Sequence, residues 1–414
     1  MLKFSYLLMN KFKFEKYISK IDRNRKIQPG FWGRNYLLSV VIPSYGEYED
    51  LGAALYSLAL NDKILLSKTI IIIVINSPMI QIKKEYSEIN SKLLYDLENN
   101  NFQKKYELNN LNLAWIDASR CGSELNGKGG VGKARKLGMD YSLLYFDWNL
   151  SPLMISLDAD TLVEKTYLKA IYDYFKSNSD FVGASISFKH QTADNELDES
   201  IIRDYEHYLN DYVAKLKKAR SPYAYHTVGS AMAFRAEYYI KAGGMKTHRG
   251  GEDFYFMQSL RKLGKIGYIA NTSVHPSPRI SGRVPFGTGP RLKKTIEGSE
   301  LMLYNPKVFE RLGNTLHEIR KWLSNSNIKY SELKMNLDTK CSNFLDKNNF
   351  STVWNKIIEN NLKNIGELSE RDKRKLLCAL HVWFDAFRTL KFIHFLENEY
   401  PDEFPKVEIP KANT

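Results

Sequence analysis

Between Leu37 and Asp160 the chain alternates short unbroken apolar runs with longer stretches whose apolar residues return every three or four positions. The runs are "LLSVVIP", "TIIIIVIN", "LNLAWID" and "PLMISLDAD"; the periodic stretches between them are "EDLGAALYSLAL", "KKEYSEINSKLLYDLE" and "VGKARKLGMDYSLLYF". Continuous β-branched runs predict strands buried on both faces, and the helical stretches between them predict the cover. The expected fold is therefore α/β, with a doubly wound, mostly parallel (mixed) sheet flanked by helices. After Asp160, "LVEKTYLKAIYDYFKSN" predicts a helix, "DFVGASISF" a strand, "NELDESIIRDYEHYLNDYVAKLKKA" a long amphipathic helix and "IGYIANTSV" a strand. From about Leu301 the strand signals stop. The rest, including "KRKLLCALHVWFDAFRTLKFIHFLENEY", repeats apolar residues at helical spacing and predicts a C-terminal helical appendage over 301–414. Residues 1–35 are basic and aromatic, end in "QPGFWGRN", and form an arm before the main domain of 36–300, whose halves meet near residue 160.

Composition narrows the function classes. The 60 basic residues are interspersed with 47 acidic ones, so the net charge of +13 is diffuse. That points to an anionic small substrate or an anionic membrane surface, and away from nucleic acid. Three cysteines, Cys121, Cys341 and Cys378, lie far apart in no C-x-x-C arrangement, which argues against a disulfide framework and a zinc site and implies a reducing compartment. Basic residues interrupt the apolar start before any signal-peptide core forms, and "TIIIIVI" is far too short to cross a bilayer. A cytoplasmic protein is expected.

In doubly wound sheets ligands sit beyond the carboxyl ends of the strands. Polar clusters follow the apolar runs at Pro43-Ser44-Tyr45, Asn76-Ser77, Asp117 to Gly132 and Asp158 to Asp160. A D-x-D arises by chance in a chain of this size, and a solvated strand end or a helix cap at Asp160 would explain it. Its place at a ligand-side strand end gives it a sharper reading. Two carboxylates at i and i+2 can place oxygens on one Mn²⁺ or Mg²⁺, which completes its shell with water and phosphate. "NGKGGVGKARKLG" leads glycines into a helix with Lys133 and Arg135 in its first turns, a setting for phosphate or a flexible capped loop. "GGEDFYF" sets Glu252 and Asp253 at a helix start, as a general base and its neighbour or as acids complementing the helix dipole. His275 in "NTSVHPSPR" would add an imidazole to the cation if the chain folds back beside Asp160. In the same loop, Arg279 and Arg283 would neutralise a leaving diphosphate or line the acceptor side.

Taken in order, these features resemble the family 2 type glycosyltransferases of the GT-A fold, from about Leu38 to about Gly289. The resemblance rests on "LSVVIPSYGEYEDLGAALYSL", "GVGKARKLGMDYS", "ISLDADT" and "GSAMAFRAEYYIKAGGM" followed by "GGEDFYFMQSLRKLG". It implies that Pro43 and Tyr45 line the base and ribose, that Lys133 and Arg135 lie near the base or diphosphate, and that Asp158 approaches the ribose. It implies also that Asp160 and His275 hold the cation with Asp158, and that Asp253 is the general base with Glu252 holding the acceptor. The chain departs from the family at Gly46 and Lys136, where asparagines are common, and at Asn76, where many members use an aspartate to read uracil. An amide donates and accepts, so the base of the nucleotide is left open.

The implied activity is metal-dependent transfer from a nucleotide-diphosphate sugar donor to a hydroxyl of a glycan, lipid-linked or small-molecule acceptor, inverting if Asp253 is the base. A retaining transferase, a sugar-phosphate nucleotidyltransferase and a non-catalytic sugar-nucleotide or glycan-binding module are the alternatives. The arm and "VWFDAFRTLKFIHF" are candidates for peripheral membrane contact as well as for core packing.

Overall fold

The computed structural model describes residues 13–22, 25–29, 33, 35–79, 83–125, 130–247, 250–279, 295, 298, 300–325, 328–362 and 368–410. Chain contacts divide it into two compact units, 1–202 with 227–296 and 203–226 with 297–414.

The first unit is built on a nine-stranded sheet. Its strands are β1 (Ile27–Gln28), β2 (Leu38–Ser44), β3 (Thr69–Asn76), β4 (Asn112–Ala118), β5 (Leu153–Ser156), β6 (Leu162–Val163), β7 (Phe181–Phe188), β8 (Met232–Arg235) and β9 (Lys265–His275), in the order β1-β4-β3-β2-β5-β8-β7-β9-β6. The run β4-β3-β2-β5 is parallel, β8 runs against both neighbours, and β7 and β9 are parallel to each other. This is the mixed α/β sheet expected from the apolar runs. Every residue of β2 and β3 is buried, as strands covered on both faces require.

The helices of this unit are α1 (13–18), α2 (Glu49–Ala59), α3 (Lys63–Ser67), α4 (Lys84–Glu98), α5 (Asn101–Lys105), α6 (Gly130–Ser142), α7 (Tyr167–Ser177), α8 (Glu196–Lys218, which runs on into the second unit), α9 (Ala236–Lys241) and α10 (Glu252–Arg261). Alternate residues of the central strands point to opposite layers. Val40, Ile42, Ile71, Ile73 and Ile75 share a core with Leu51, Leu55 and Leu58 of α2 and Leu93, Leu94 and Leu97 of α4. Val41 and Val74 face α6, where a Cβ at Gly138 would lie 2.4 Å from Val41 Cγ1 and 3.0 Å from Val74 Cγ2. The glycine lets α6 lie directly on the sheet, which fixes the height of Arg135 one turn earlier.

Two local expectations are corrected. Leu162–Val163, expected to open a helix, instead pairs antiparallel with Val274 and His275, and the helix begins only at Tyr167. The competing partner is more than a hundred residues away, outside the reach of local periodicity. The arm is also part of the sheet: Ile27 and Gln28 pair antiparallel with Ile116 and Trp115 and cover the β4 edge. Tyr17 Oη donates to Asp140 Oδ1 at 2.8 Å, and Tyr141 Oη donates to the Arg25 carbonyl at 2.6 Å, so the arm is held against α6.

The second unit is mainly helical: the C-terminal part of α8 with α11 (Pro306–Ser324), α12 (Tyr330–Asn336), α13 (Thr339–Lys347), α14 (Phe350–Asn361), α15 (Glu370–Trp383) and α16 (Ala386–Glu399). Its core gathers Leu312, Ile319, Trp322, Phe344, Trp354 and Phe392. A two-residue antiparallel ladder, β10 (Met302–Leu303) with β11 (Val407–Glu408), interrupts the expected all-helical appendage. Within "VWFDAFRTLKFIHF", Phe384, Phe392 and Ile393 are buried in this core, while Val382 and Phe387 stay exposed. No helix among the described residues is long and apolar enough to cross a membrane.

Candidate functional site

The chain order of the sheet reverses at β2: β3 and β4 follow on one side, and β5 returns on the other. The carboxyl ends of β2 and β5 therefore flank a switch point, where a crevice opens in folds of this kind. Pro43 lies at the end of β2 and Tyr45 just beyond it, Asn76 ends β3, and Asp158 and Asp160 follow β5.

At β2, the turn is tightly defined. Gly46 has φ of +66°, its N–H donates to Asn90 Oδ1 at 3.0 Å, and Asn90 Nδ2 donates to the Asn76 carbonyl at 3.1 Å. One α4 side chain thus ties the ends of β2 and β3 together. The Tyr45 ring meets Tyr86 edge-on at 5.0 Å, and a Cβ at Gly46 would lie 2.6 Å from the Tyr86 ring. Gly46→Ala should cost about 2 kcal/mol, from the left-handed backbone and the displaced ring. Urea unfolding would measure it, and a loss below about 0.5 kcal/mol would mean that the turn adapts.

Arg135 organises the first of two charged clusters. Its guanidinium bonds Asp158 through Nη2 and Glu252 through Nη1, and the side chains of Arg135 and Glu252 are almost wholly buried. Two glycines make room: a Cβ at Gly229 would lie 2.5 Å from Arg135 Nη2, and one at Gly132 would lie 3.0 Å from Glu252 Cβ. Gly251, at φ +70°, precedes α10 and delivers Glu252 and Asp253 on its first turn. Burial works against the Arg135 charge, but Asp158, Glu252 and Asp253 outweigh it and hold the guanidinium above its ordinary value. Asp253 is in the opposite position. Burial and then the Glu252 charge push its carboxyl up to about 7, only partly offset by Arg135 and by the Phe254 N–H donated to Oδ1 at 2.7 Å.

Arg279 organises the second cluster. It bonds Glu47, Asp50 at 2.5 Å and Asp160 at 2.9 Å. The two aspartates of the D-x-D, expected side by side on one cation, are thus each paired with a different arginine. Three carboxylates surround one guanidinium in both clusters, so the crevice carries an excess of negative charge.

The remaining expected residues are placed differently. Lys133 is half-buried on α6 and has no ion pair among the described residues. The His275 ring lies apart from the Asp160 carboxylate cluster: Nδ1 is 2.9 Å from the Lys189 carbonyl, and Nε2 is 3.7 Å from Glu164. The backbone just after it approaches Asp160, whose carbonyl accepts from Ser277 N at 3.1 Å and from the Gln191 side chain, Nε2, at 3.0 Å. Arg283 lies outside the described residues.

Sequence reasoning missed Glu47 and Asp50, whose signal was an acidic "GEYED" directly after a ligand-side strand end. It also missed Tyr167. That hydroxyl is fully buried with no hydrogen-bond partner among the described residues, and its pKa is raised by burial and by the Asp158 charge.

The donor set suits a hard divalent cation. Asp158 and Asp160 keep 35% and 21% of their side chains exposed, and Mn²⁺ or Mg²⁺ takes one or two protein carboxylates with water and phosphate oxygens. A cage of three or more His, Cys, Asp or Glu side chains is absent among the described residues, and such a shared shell does not need one.

Neither a sequence profile of a known family nor any curated protein matches the chain. Solved structures do. S. aureus TarS 1-349 in complex with UDP-GlcNAc aligns over 88% of this chain and 88% of its own, at 14% identity and TM-score 0.42. A second S. aureus TarS structure aligns over 68% of this chain and 43% of its own, at 13% identity and TM-score 0.39. The mannosyltransferase PcManGT from Pyrobaculum calidifontis, in complex with GDP-Man and Mn2+, aligns over 96% of both chains at 13% identity and TM-score 0.40. The chemistry has to come from this chain's own side chains.

Proposed function

We propose that the chain is a metal-dependent glycosyltransferase that moves a sugar from a nucleotide-diphosphate donor to an acceptor hydroxyl with inversion. The observation that carries this reading is the carboxylate excess at the switch point, with one of its members, Asp253, held near neutrality. A general base works best when its pKa is close to the working pH. An acid-rich crevice would repel a diphosphate unless a cation came with it.

In the proposed reaction the acceptor oxygen bonds the anomeric carbon as its proton passes to Asp253. The bond from that carbon to the diphosphate oxygen breaks, and the nucleoside diphosphate leaves with the electron pair. Glu252, fixed by Arg135, keeps the negative potential that raises the Asp253 pKa. Asp158, tethered by the same arginine, and Asp160 are the residues that would hold the cation; when bound, it neutralises charge developing on the diphosphate. Pro43, Tyr45, Asn76 and Lys133 are proposed to line the donor side, and Arg279 to face the diphosphate.

The test is direct. Incubation with a panel of nucleotide sugars and Mn²⁺ should release nucleoside diphosphate, and chelation of the metal should abolish release. Pyrophosphate formed from a nucleoside triphosphate and a sugar phosphate would point to a nucleotidyltransferase and overturn the reading.

A further inference from the structure

The second unit contains a feature that the transfer site does not use. The end of α8 and the length of α11 from Pro306 to Arg320, both within that unit, line an open cavity of about 510 Å³. Its floor includes Phe309 and the close approach of two helices at Gly313, where a Cβ would lie 3.2 Å from Ala219 Cα. Its charged lining is unbalanced. Lys215 is neutralised by Asp211 at 2.6 Å and also donates to the Tyr304 carbonyl at 2.8 Å. Lys218, Arg220 and Arg320 have no acidic partner among the described residues, and Glu310 is the one lining acid outside the Lys215 pair.

The backbone adds an independent sign. Arg220 N–H reaches the Lys217 carbonyl at 2.9 Å and Ser221 N–H reaches the Leu216 carbonyl at 3.0 Å, the paired bonds of a Schellman helix end. Arg220 occupies its left-handed position, φ +53°, where glycine or asparagine is at ease and arginine is strained. The strained residue is one of those that line the cavity. Arg320 donates to the Arg220 carbonyl at 2.7 Å, which brings a second guanidinium to the same rim. The pKa of Arg320 is lowered by burial and then by the Arg220 charge, so the two cations repel each other.

We infer that this cavity is a phosphate-binding site, in which Arg220, Arg320 and Lys218 take the oxygens of a phosphomonoester or phosphodiester. Two planar guanidiniums with an ammonium beside them match a tetrahedral oxyanion, which would relieve their mutual repulsion. His317, also in the lining and exposed, supplies a local probe.

The test follows the imidazole resonances of histidine-labelled full-length protein during titration with inorganic phosphate at constant ionic strength. His317→Gln identifies the His317 signal. That signal should move and saturate in the wild type, and the apparent Kd should rise at least tenfold in Arg220→Asn and in Arg320→Gln. Arg220→Asn places a residue suited to the left-handed backbone, so its melting temperature should not fall and a folding defect will not obscure the result. Asp253→Asn should leave the titration unchanged. Sedimentation with vesicles containing phosphatidic acid, against phosphatidylcholine alone, separates the sources. Retention that Arg220→Asn abolishes assigns the phosphate to a lipid headgroup, whereas a saturable shift without retention assigns it to a soluble ligand. A His317 signal that does not move, or that moves equally in Arg220→Asn, overturns the proposal.

Discussion

Asp253→Asn is expected to lower kcat by about 10³-fold, within the range that a positioned general base contributes, while changing the donor KM little. The substitution keeps the shape of the side chain and its acceptance of the Phe254 N–H, so a loss of this size would be chemical in origin. The wild-type profile carries a second signature. With Asp253 pushed up to about 7 by burial and by Glu252, kcat/KM should fall about tenfold per pH unit below 7, because only the ionised carboxylate accepts the proton. Stability should move the other way. The folded-state pKa lies above that of an unfolded aspartate, so between about pH 4 and 7 the folded state binds more protons. Ionising Asp253 therefore weakens the fold as pH rises through that window. Asp253→Asn removes this slope, and the variant should melt higher than wild type at pH 8 while losing that advantage at pH 4. Rate profiles from pH 5.5 to 9 and thermal melts at the two pH values check both. Turnover retained in Asp253→Asn, or an acid limb that survives the substitution, would exclude Asp253 as the base.

The architecture was legible where burial is continuous. β2, β3, β4 and β5 announce themselves as apolar runs because a parallel strand covered on both faces has little polar alternation to hide in. β1 and β6 were not legible: two residues hold no periodicity, and each is a strand only because Trp115 or Val274 offers it an edge. The site divides in the same way. Arg135, Asp158, Glu252 and Asp253 come together because three strand or helix ends converge at the switch point, and each end carries its own local signature in sequence. Glu47 and Asp50 showed only as the acidic "GEYED" after β2, without their role, since the arginine that gathers them is more than 220 residues away. The direction of the His275 ring was hidden too. It depends on the register of β9 with β6 and on the Lys189 carbonyl, not on the residues beside it in the chain.

Arg135→Met should be the most destabilising single change in the site, by about 3–5 kcal/mol, and should abolish transfer. Among the described residues the guanidinium is the one buried counter-charge for Glu252, and its charge also acts on Asp158 and Asp253. Removing it leaves a buried carboxylate uncompensated, which costs far more than the intact pair contributes. The pair itself is imperfect, because Arg135 Nε is buried with no partner among the described residues, and an imperfectly satisfied buried ion pair adds little net stability. The double variant Arg135→Met with Glu252→Met should therefore recover much of the loss and be more stable than Arg135→Met alone. Activity should not return with it, since Asp158 loses its tether and Asp253 loses the neighbour whose charge, after burial, raises its pKa. A double-mutant cycle by urea unfolding, read beside turnover, measures the coupling. Additive losses, or a single-variant cost below about 1 kcal/mol, would show that Arg135 is not the electrostatic centre of the crevice. Recovered stability without recovered turnover would place Arg135 and Glu252 as a unit that holds the charges of the reaction in position.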